Sequence, residues 1–155
     1  MTVYSNVRTD LTQDDPTELV KANQIAGSLR IAHASFEASS QAADTIEMFS
    51  LPNGARIVSG RLCHDALGAS TQLKVGHGAY TNSAGTSVAA DDDEFKAAAA
   101  STTAQCVDVA ATLALGANSE VDLDGSDADN EFVVTVTTVG TTTGTIELTM
   151  FYVVD

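Results

Sequence analysis

The acidic side chains of the segment Glu120–Glu131 have the spacing of a calcium-binding loop. Carboxylates stand at positions 1, 3, 5 and 12 of this segment and Gly125 stands at position 6, as in helix–loop–helix calcium sites. Such a site also needs a helix on each side and an apolar residue at position 8, where this chain has Asp127. A stretch rich in Thr and Val follows, so we favour a solvated acidic loop between strands over a calcium site.

Three consecutive aspartates, Asp91, Asp92 and Asp93, are a second candidate for cation binding. They precede the run Glu94–Ala100, which is rich in alanine, the residue with the highest helix propensity. Carboxylates at the N-terminus of a helix are stabilised by the helix dipole. We therefore predict a short helix capped by the aspartates, with a divalent-metal site as the alternative.

Cys63, His64 and Asp65 are adjacent and carry the groups of a nucleophilic site. Neighbouring side chains in a strand point to opposite faces, so these three do not converge on one substrate. No serine, cysteine or third group is spaced to complete a triad with them. We therefore assign no residue a catalytic role and expect no enzyme activity.

The other histidines, His33 and His77, stand in separate segments without the paired spacing of zinc ligands. The glycines on either side of His77 predict a turn or a β-bulge. They do not predict a phosphate-binding loop, because no helix with basic residues follows. We therefore expect neither a metal site nor a cofactor site.

Cys63 and Cys106 are the two cysteines of the chain. A single disulfide between them is possible, but the lack of a secretion signal favours free thiols. The N-terminal residues include acids and have no apolar core of a signal peptide, and no window approaches the roughly 18–20 apolar residues of a membrane helix. We expect a protein that is made and used without export.

Short apolar or β-branched runs, separated by glycine, proline or asparagine, indicate a mainly all-β chain. Their spacing is typical of a β-sandwich or barrel and not of alternating strands and helices. We predict a β-sandwich or jelly-roll-like domain with one short helix and an extended N-terminal arm. The predicted strands are Leu29–Glu37, Asp44–Leu51, Ala55–Cys63, Gln72–Tyr80, Phe132–Val139 and Thr145–Val154.

The two C-terminal strands flank a loop from Gly140 to Gly144, and this arrangement predicts an antiparallel hairpin. In the last strand, apolar residues recur at every second position from Ile146 to Tyr152. One face of that strand is therefore expected to lie in the core.

Residues 1–24 are polar and weakly patterned, and we predict that they form an arm that reaches a neighbouring subunit or a frayed tail. Asp15, Pro16 and Glu18 have the form of a helix start, but the run that follows is too short for more than a turn or two. The remaining residues, 25–155, are predicted to form a single β-sandwich domain.

The net charge of the chain is -14, and no lysine, arginine or histidine follows Lys96. Nucleic-acid binding needs clustered basic residues that displace counterions, so DNA and RNA are excluded as direct partners. The same charge repels anionic membranes. A partner surface is therefore expected to be basic or to be met through apolar contacts.

The segment Leu51–Gly76 (LPNGARIVSGRLCHDALGASTQLKVG), with the closing Thr- and Val-rich strands, resembles small structural proteins of tailed bacteriophages. The resemblance is greatest to the capsid decoration, or cement, proteins of marine and cyanobacterial phages, and it covers roughly residues 25–155. It implies a β-rich homo-oligomer, often a trimer, that binds the major capsid protein on the virion exterior after assembly in the bacterial host cytoplasm. The family has no catalytic residues to transfer.

Two other functions stay open at this point. One is a different virion subunit, at the head-to-tail junction or on the tail surface. The other is a secreted carbohydrate- or calcium-binding β-sandwich module. Carbohydrate modules usually present exposed Trp or Tyr platforms, but this chain has no Trp and only Tyr4, Tyr80 and Tyr152.

Overall fold

Residues 27–154, which the computed structural model describes, form two four-stranded sheets and a two-stranded ribbon. The strands are β1 (Ser28–Ala42), β2 (Thr45–Leu51), β3 (Arg56–His64), β4 (Gln72–His77), β5 (Tyr80–Thr81), β6 (Ser87–Val88), β7 (Asp91–Ala100), β8 (Gln105–Val109), β9 (Phe132–Val139) and β10 (Thr141–Val154). The first sheet has the order β1-β10-β3-β8, the second has the order β2-β9-β4-β7, and β5 pairs with β6.

Apart from the ribbon β5-β6 and the connection from β4 to β7, which stays in the second sheet, consecutive strands alternate between the two four-stranded sheets. Each of the pairs β1 and β2, β3 and β4, β7 and β8, and β9 and β10 has one member in each sheet, and all strand pairings are antiparallel. This is the eight-stranded jelly-roll arrangement, in which two sheets bury their inner faces against each other. The predicted mainly all-β class, a β-sandwich or jelly-roll-like domain, is therefore confirmed.

The core lies between the sheets and is filled by aliphatic side chains from alternate strand positions. Ile146, Leu148 and Met150 in β10 are 0% exposed, as are Val134 and Val136 in β9. The intervening residues of β10 point to the outer face, which confirms the alternation predicted for the last strand. Short β-branched side chains suit a sandwich whose sheets lie only about 10 Å apart.

The hairpin predicted between Phe132–Val139 and Thr145–Val154 is wrong. Both strands exist, but β9 pairs with β2 and β4, whereas β10 pairs with β1 and β3. The chain changes sheets at Gly140, whose φ of 82° is in the left-handed region that favours glycine. A hairpin would satisfy one backbone edge of each strand, whereas the jelly-roll pairing satisfies both edges and buries an inner face of each strand.

The helix predicted for Glu94–Ala100 is also wrong, because these residues lie in strand β7. A helix this short is marginal in water even when it is rich in alanine. As a strand, the segment pairs its backbone with β4 and places Phe95, which is 1% exposed, in the core. Burial of a phenylalanine outweighs the small intrinsic preference of alanine for a helix. In the described residues, the short helical segment is the 3-10 turn η1 (Leu113–Leu115).

The arm predicted for residues 1–24, with its helix start at Asp15, lies outside the described residues. The division between this arm and a domain at residues 25–155 therefore stays a prediction. Within residues 27–154, no helix has the length and apolar character needed to span a membrane.

Candidate functional site

The acidic segment Glu120–Glu131 is a loop that leads into β9, and no helix directly flanks it within the described residues. Two of its carboxylates, those of Asp124 and Glu131, accept hydrogen bonds from serine residues. Asp124 Oδ1 accepts a hydrogen bond from the backbone N–H of Ser126 at 2.9 Å, which lowers the pKa of this carboxyl. Glu131 Oε2 accepts one from Ser50 Oγ at 2.6 Å. The geometry fits the solvated acidic loop that the sequence favours.

Asp91, Asp92 and Asp93 come together at the start of β7, where each offers a carboxylate oxygen within 4.8 Å of the others. They do not cap a helix, because a strand begins here. Lys74 Nζ donates a hydrogen bond to Asp92 Oδ2 at 2.9 Å, and this contact raises the pKa of the lysine. The aspartates therefore make one edge of the second sheet acidic, and Lys74 partly neutralises it.

The side chains of His64 and Asp65, at the end of β3, have different partners. His64 Nδ1 donates a hydrogen bond to the carbonyl oxygen of Asp65 at 2.7 Å, whereas Asp65 Oδ2 accepts one from the backbone N–H of Thr145 at 3.0 Å. A cavity of about 430 Å³ lies beside them, with Cys63 and Cys106 in its lining. Because the carboxylate binds the backbone of β10, it does not orient the imidazole as a triad requires.

The three histidines lie on three different strands. His64 ends β3 and His77 ends β4, whereas His33 is exposed on β1, with its Nδ1 atom 3.0 Å from Thr149 Oγ1. Among the described residues, the group of three or more potential metal ligands that come together is the aspartate triplet Asp91–Asp93, which contains no histidine.

The free thiols that the sequence favours for Cys63 and Cys106 are not found, because the two residues form a disulfide between β3 and β8. The two residues are direct partners in the ladder of these strands, and their Cα atoms are 4.0 Å apart. β8 is an edge strand, and β3 is its neighbour in the first sheet. The disulfide therefore fastens an edge strand to the sheet, with Cys106 exposed at the surface.

The β-bulge predicted around His77 is confirmed by a shift of register between β4 and β7. Gly76 is required there, because a Cβ atom on this residue would lie 1.9 Å from the carbonyl oxygen of Asp91. The ring of His77, which is 8% exposed, has its centroid 5.1 Å from that of Phe132 and 5.5 Å from that of Tyr80. Sequence reasoning missed this cluster, since its members come from separate strands and no local pattern links them.

Apolar side chains are exposed at one end of the outer face of the first sheet. Leu29 and Ile31 in β1 are each 61% exposed. In the strand register they lie directly opposite Val153 and Phe151 of β10, which are half-buried. We refer to these four residues as the outer apolar patch. Exposed apolar side chains that lie next to one another are typical of interaction surfaces.

No protein-family model matches the sequence, and no curated protein matches it. Solved structures with a similar fold include chains of phage capsids. A chain in the capsid asymmetric unit of cyanophage Pam1 has a TM-score of 0.62 and 14% identity, over 84% of this chain and 88% of that chain. A chain in the capsid of Ralstonia phage GP4 has a TM-score of 0.59 and 20% identity, over 90% of this chain and 93% of that chain. A chain in the acidic stable capsid structure of Helicobacter pylori bacteriophage KHP30 has a TM-score of 0.53 and 15% identity, over 83% of this chain and 90% of that chain.

These likenesses establish the fold. They extend over most of both chains in each comparison, so what is shared is a whole domain and not a local motif. The resemblance to phage capsid-associated proteins, drawn from Leu51–Gly76 and the closing strands, is thereby confirmed at the level of the fold.

Proposed function

We propose that the protein is a structural subunit of a phage virion that binds the major capsid protein on the capsid exterior, stabilises the shell and has no catalytic activity. The observation that carries this proposal is the near full-length likeness in fold to chains of three phage capsid structures. Jelly rolls also occur in lectins and other proteins, so the surface of this chain must supply further support.

The charge of the protein supports a position outside the shell. A net charge of -14 repels a phosphate backbone, so contact with packaged DNA is unfavourable. Arg56 and Lys74, two of the few basic residues, are already paired with Glu120 and Asp92. A complementary capsid surface is therefore basic, and long-range attraction would speed its encounter with this subunit.

We further propose that the protein is a homotrimer, as the resemblance to decoration proteins implies. β1 is an edge strand of 15 residues, and the outer apolar patch starts at its N-terminal end. A long edge strand beside exposed apolar side chains favours association with another chain. A closed ring of identical contacts buries such surfaces in every subunit, whereas an open assembly would leave them exposed at its ends, where further subunits could add. We assign the outer apolar patch to this contact between copies.

Binding to the assembled shell accounts for stabilisation without chemistry. A ligand that binds only the mature shell stabilises it by about 2.7 kcal/mol per independent site when its concentration is about 100-fold above the dissociation constant. Because a capsid repeats the same site many times, modest affinity for each site is sufficient.

The test compares particles with and without this subunit. Particles that lack it should release DNA at a lower temperature, and purified protein added back should restore the difference. Labelled protein should be found on the outside of the shell. Unchanged DNA release, or protein inside the shell or on the tail, would refute the decoration role.

A further inference from the structure

A second cavity, of about 330 Å³, lies at the end of the sandwich where β4 ends and β9 begins. Its size is within the range of about 300–1,000 Å³ that is usual for ligand pockets. Aromatic rings form much of its wall: Tyr80, Phe95 and Phe132 line it together with His77. Ile57 and Val121, which are 0% and 1% exposed, add an apolar floor.

The polar groups that line this cavity include several hydrogen-bond acceptors. His77 Nδ1 lies 2.8 Å from the carbonyl oxygen of Gly78. A carbonyl oxygen only accepts, so Nδ1 carries the proton and Nε2 is an acceptor in the neutral ring. Glu94 and Glu120 contribute carboxylates to the same lining. Arg56 already binds Glu120 at 2.6 Å, whereas no basic side chain in the described residues pairs with Glu94.

The electrostatic environment of the cavity is negative. Burial raises the pKa of the Tyr80 hydroxyl, and the carboxylates of Asp122 and Glu94 raise it further. The negative charges of these two carboxylates are therefore close enough to Tyr80 to disfavour a further negative charge on its hydroxyl. Aromatic faces and carboxylates both attract cations, and an apolar floor suits an aliphatic stem.

We propose that this cavity binds the cationic head of an arginine or lysine side chain presented by a partner protein, with Glu94 as the counter-charge and Tyr80 as an aromatic wall. This inference rests on the proposed function for the identity of the partner, a basic surface of the capsid, but the preference for a cation is a property of the cavity itself. The two parts are tested separately.

The first experiment is a titration of the purified protein, followed through its backbone amide resonances, with N-acetyl-arginine amide. The control probe is N-acetyl-citrulline amide, which has nearly the same shape but no charge. We expect saturable shifts at His77, Tyr80, Glu94 and Phe132 with the arginine probe and much weaker ones with citrulline. Equal responses to the two probes, or shifts that avoid these residues, would overturn the proposal.

Matched variants locate the charge that matters. Glu94→Gln should weaken binding of the arginine probe roughly tenfold, the effect of losing one charge-assisted hydrogen bond. Glu47→Gln, which makes the same change on an exposed position of β2, should leave binding unchanged. Tyr80→Leu keeps an apolar side chain and should weaken binding roughly three- to tenfold through loss of the cation–π contact. Well-dispersed amide spectra verify that each variant is folded, and parent-like binding by both cavity variants would refute the assignment.

The second experiment measures binding of the same variants to particles that lack this subunit. We expect Glu47→Gln to bind like the parent and Glu94→Gln to bind roughly tenfold more weakly. If Glu94→Gln binds particles like the parent, the cavity does not receive a capsid side chain, although the decoration role stands. If the parent itself fails to bind particles, the proposed function is refuted, and the titration with the arginine probe still decides whether the cavity prefers a cation.

Discussion

The disulfide between Cys63 and Cys106 should supply a large part of the stability of the folded chain. It closes a loop with a sequence separation of 43 residues. The chain-entropy model gives about 4 kcal/mol for a loop of this length at 25 °C, and measured values are typically 2–4 kcal/mol. Because folded domains are stable by only about 5–15 kcal/mol, this contribution is substantial.

The structure also indicates where the effect should appear. β8 is a strand of five residues that pairs with β3 on one side only within its sheet. Without the disulfide, this edge strand depends on a short ladder of backbone hydrogen bonds. Reduction should therefore loosen β8 before the central strands, and amide exchange in β8 should accelerate more than exchange in β10.

The assay is urea denaturation of the protein with and without dithiothreitol, together with the double variant Cys63→Ser, Cys106→Ser. Reduction should lower the free energy of unfolding by about 2–4 kcal/mol. The melting temperature should then fall by roughly 4–16 °C for a chain of this size. The double variant should match the reduced parent and should not respond to dithiothreitol, which provides the control.

Two results would contradict this reasoning. Mass spectrometry that finds two free thiols in protein purified without reductant would refute the pairing itself. A paired protein whose unfolding free energy changes by less than about 0.5 kcal/mol on reduction would show that unfolded-state entropy is not the source of stability.

Other perturbations have equally definite outcomes. Deleting Thr149–Asp155 should unfold the domain, because it removes the last six of the 14 residues of β10, a strand that pairs on both sides, and circular dichroism melts will show the loss. Gly76→Ala should lower the free energy of unfolding, measured by urea denaturation, by about 1–3 kcal/mol, because the added Cβ would lie 1.9 Å from a backbone oxygen of β7. Gly125→Ala is the control and should be nearly neutral, because a Cβ on Gly125 would have no other atom within 4 Å. Ile31→Glu should convert the proposed trimer to monomers, and light scattering after size exclusion should then report 16.0 kDa in place of about three times that mass. Burial raises the pKa of the Tyr80 hydroxyl above its ordinary value of 10.0, so the folded state holds this proton more tightly than the unfolded state does. The free energy of unfolding should therefore fall as the pH rises above about 10. Denaturation measured at alkaline pH should show a smaller fall for Tyr80→Phe than for the parent.

Each of these outcomes can fail in a specific way. A C-terminal truncation that melts like the parent would show that β10 is not needed for the core. Equal effects at Gly76 and Gly125 would contradict the close approach of β4 and β7. A parent protein that is already monomeric at micromolar concentration would remove the trimer and the role of the outer apolar patch. An alkaline profile that Tyr80→Phe does not change would mean that other groups dominate there.

The sequence by itself determined the class of the fold and much of the strand content. In β10, the recurrence of Ile146, Leu148 and Met150 at every second position required one buried face, and all three are 0% exposed. The charge of -14 likewise predicts, without any structure, that nucleic acid is not a direct partner. These properties depend on local periodicity or on composition, and both are visible in a linear chain.

Tertiary structure decided which strands are neighbours, and with that it decided the candidate sites. Residues from Glu94 to Ala100 have the local preference of a helix, but pairing with β4 and burial of Phe95 made them a strand. The same long-range pairing placed β9 and β10 in different sheets and brought Cys63 opposite Cys106. Local propensities amount to tenths of a kcal/mol per residue, whereas burial of one large side chain is worth about 1.5–3 kcal/mol. Contacts between residues that are distant in the sequence therefore prevail wherever the two disagree.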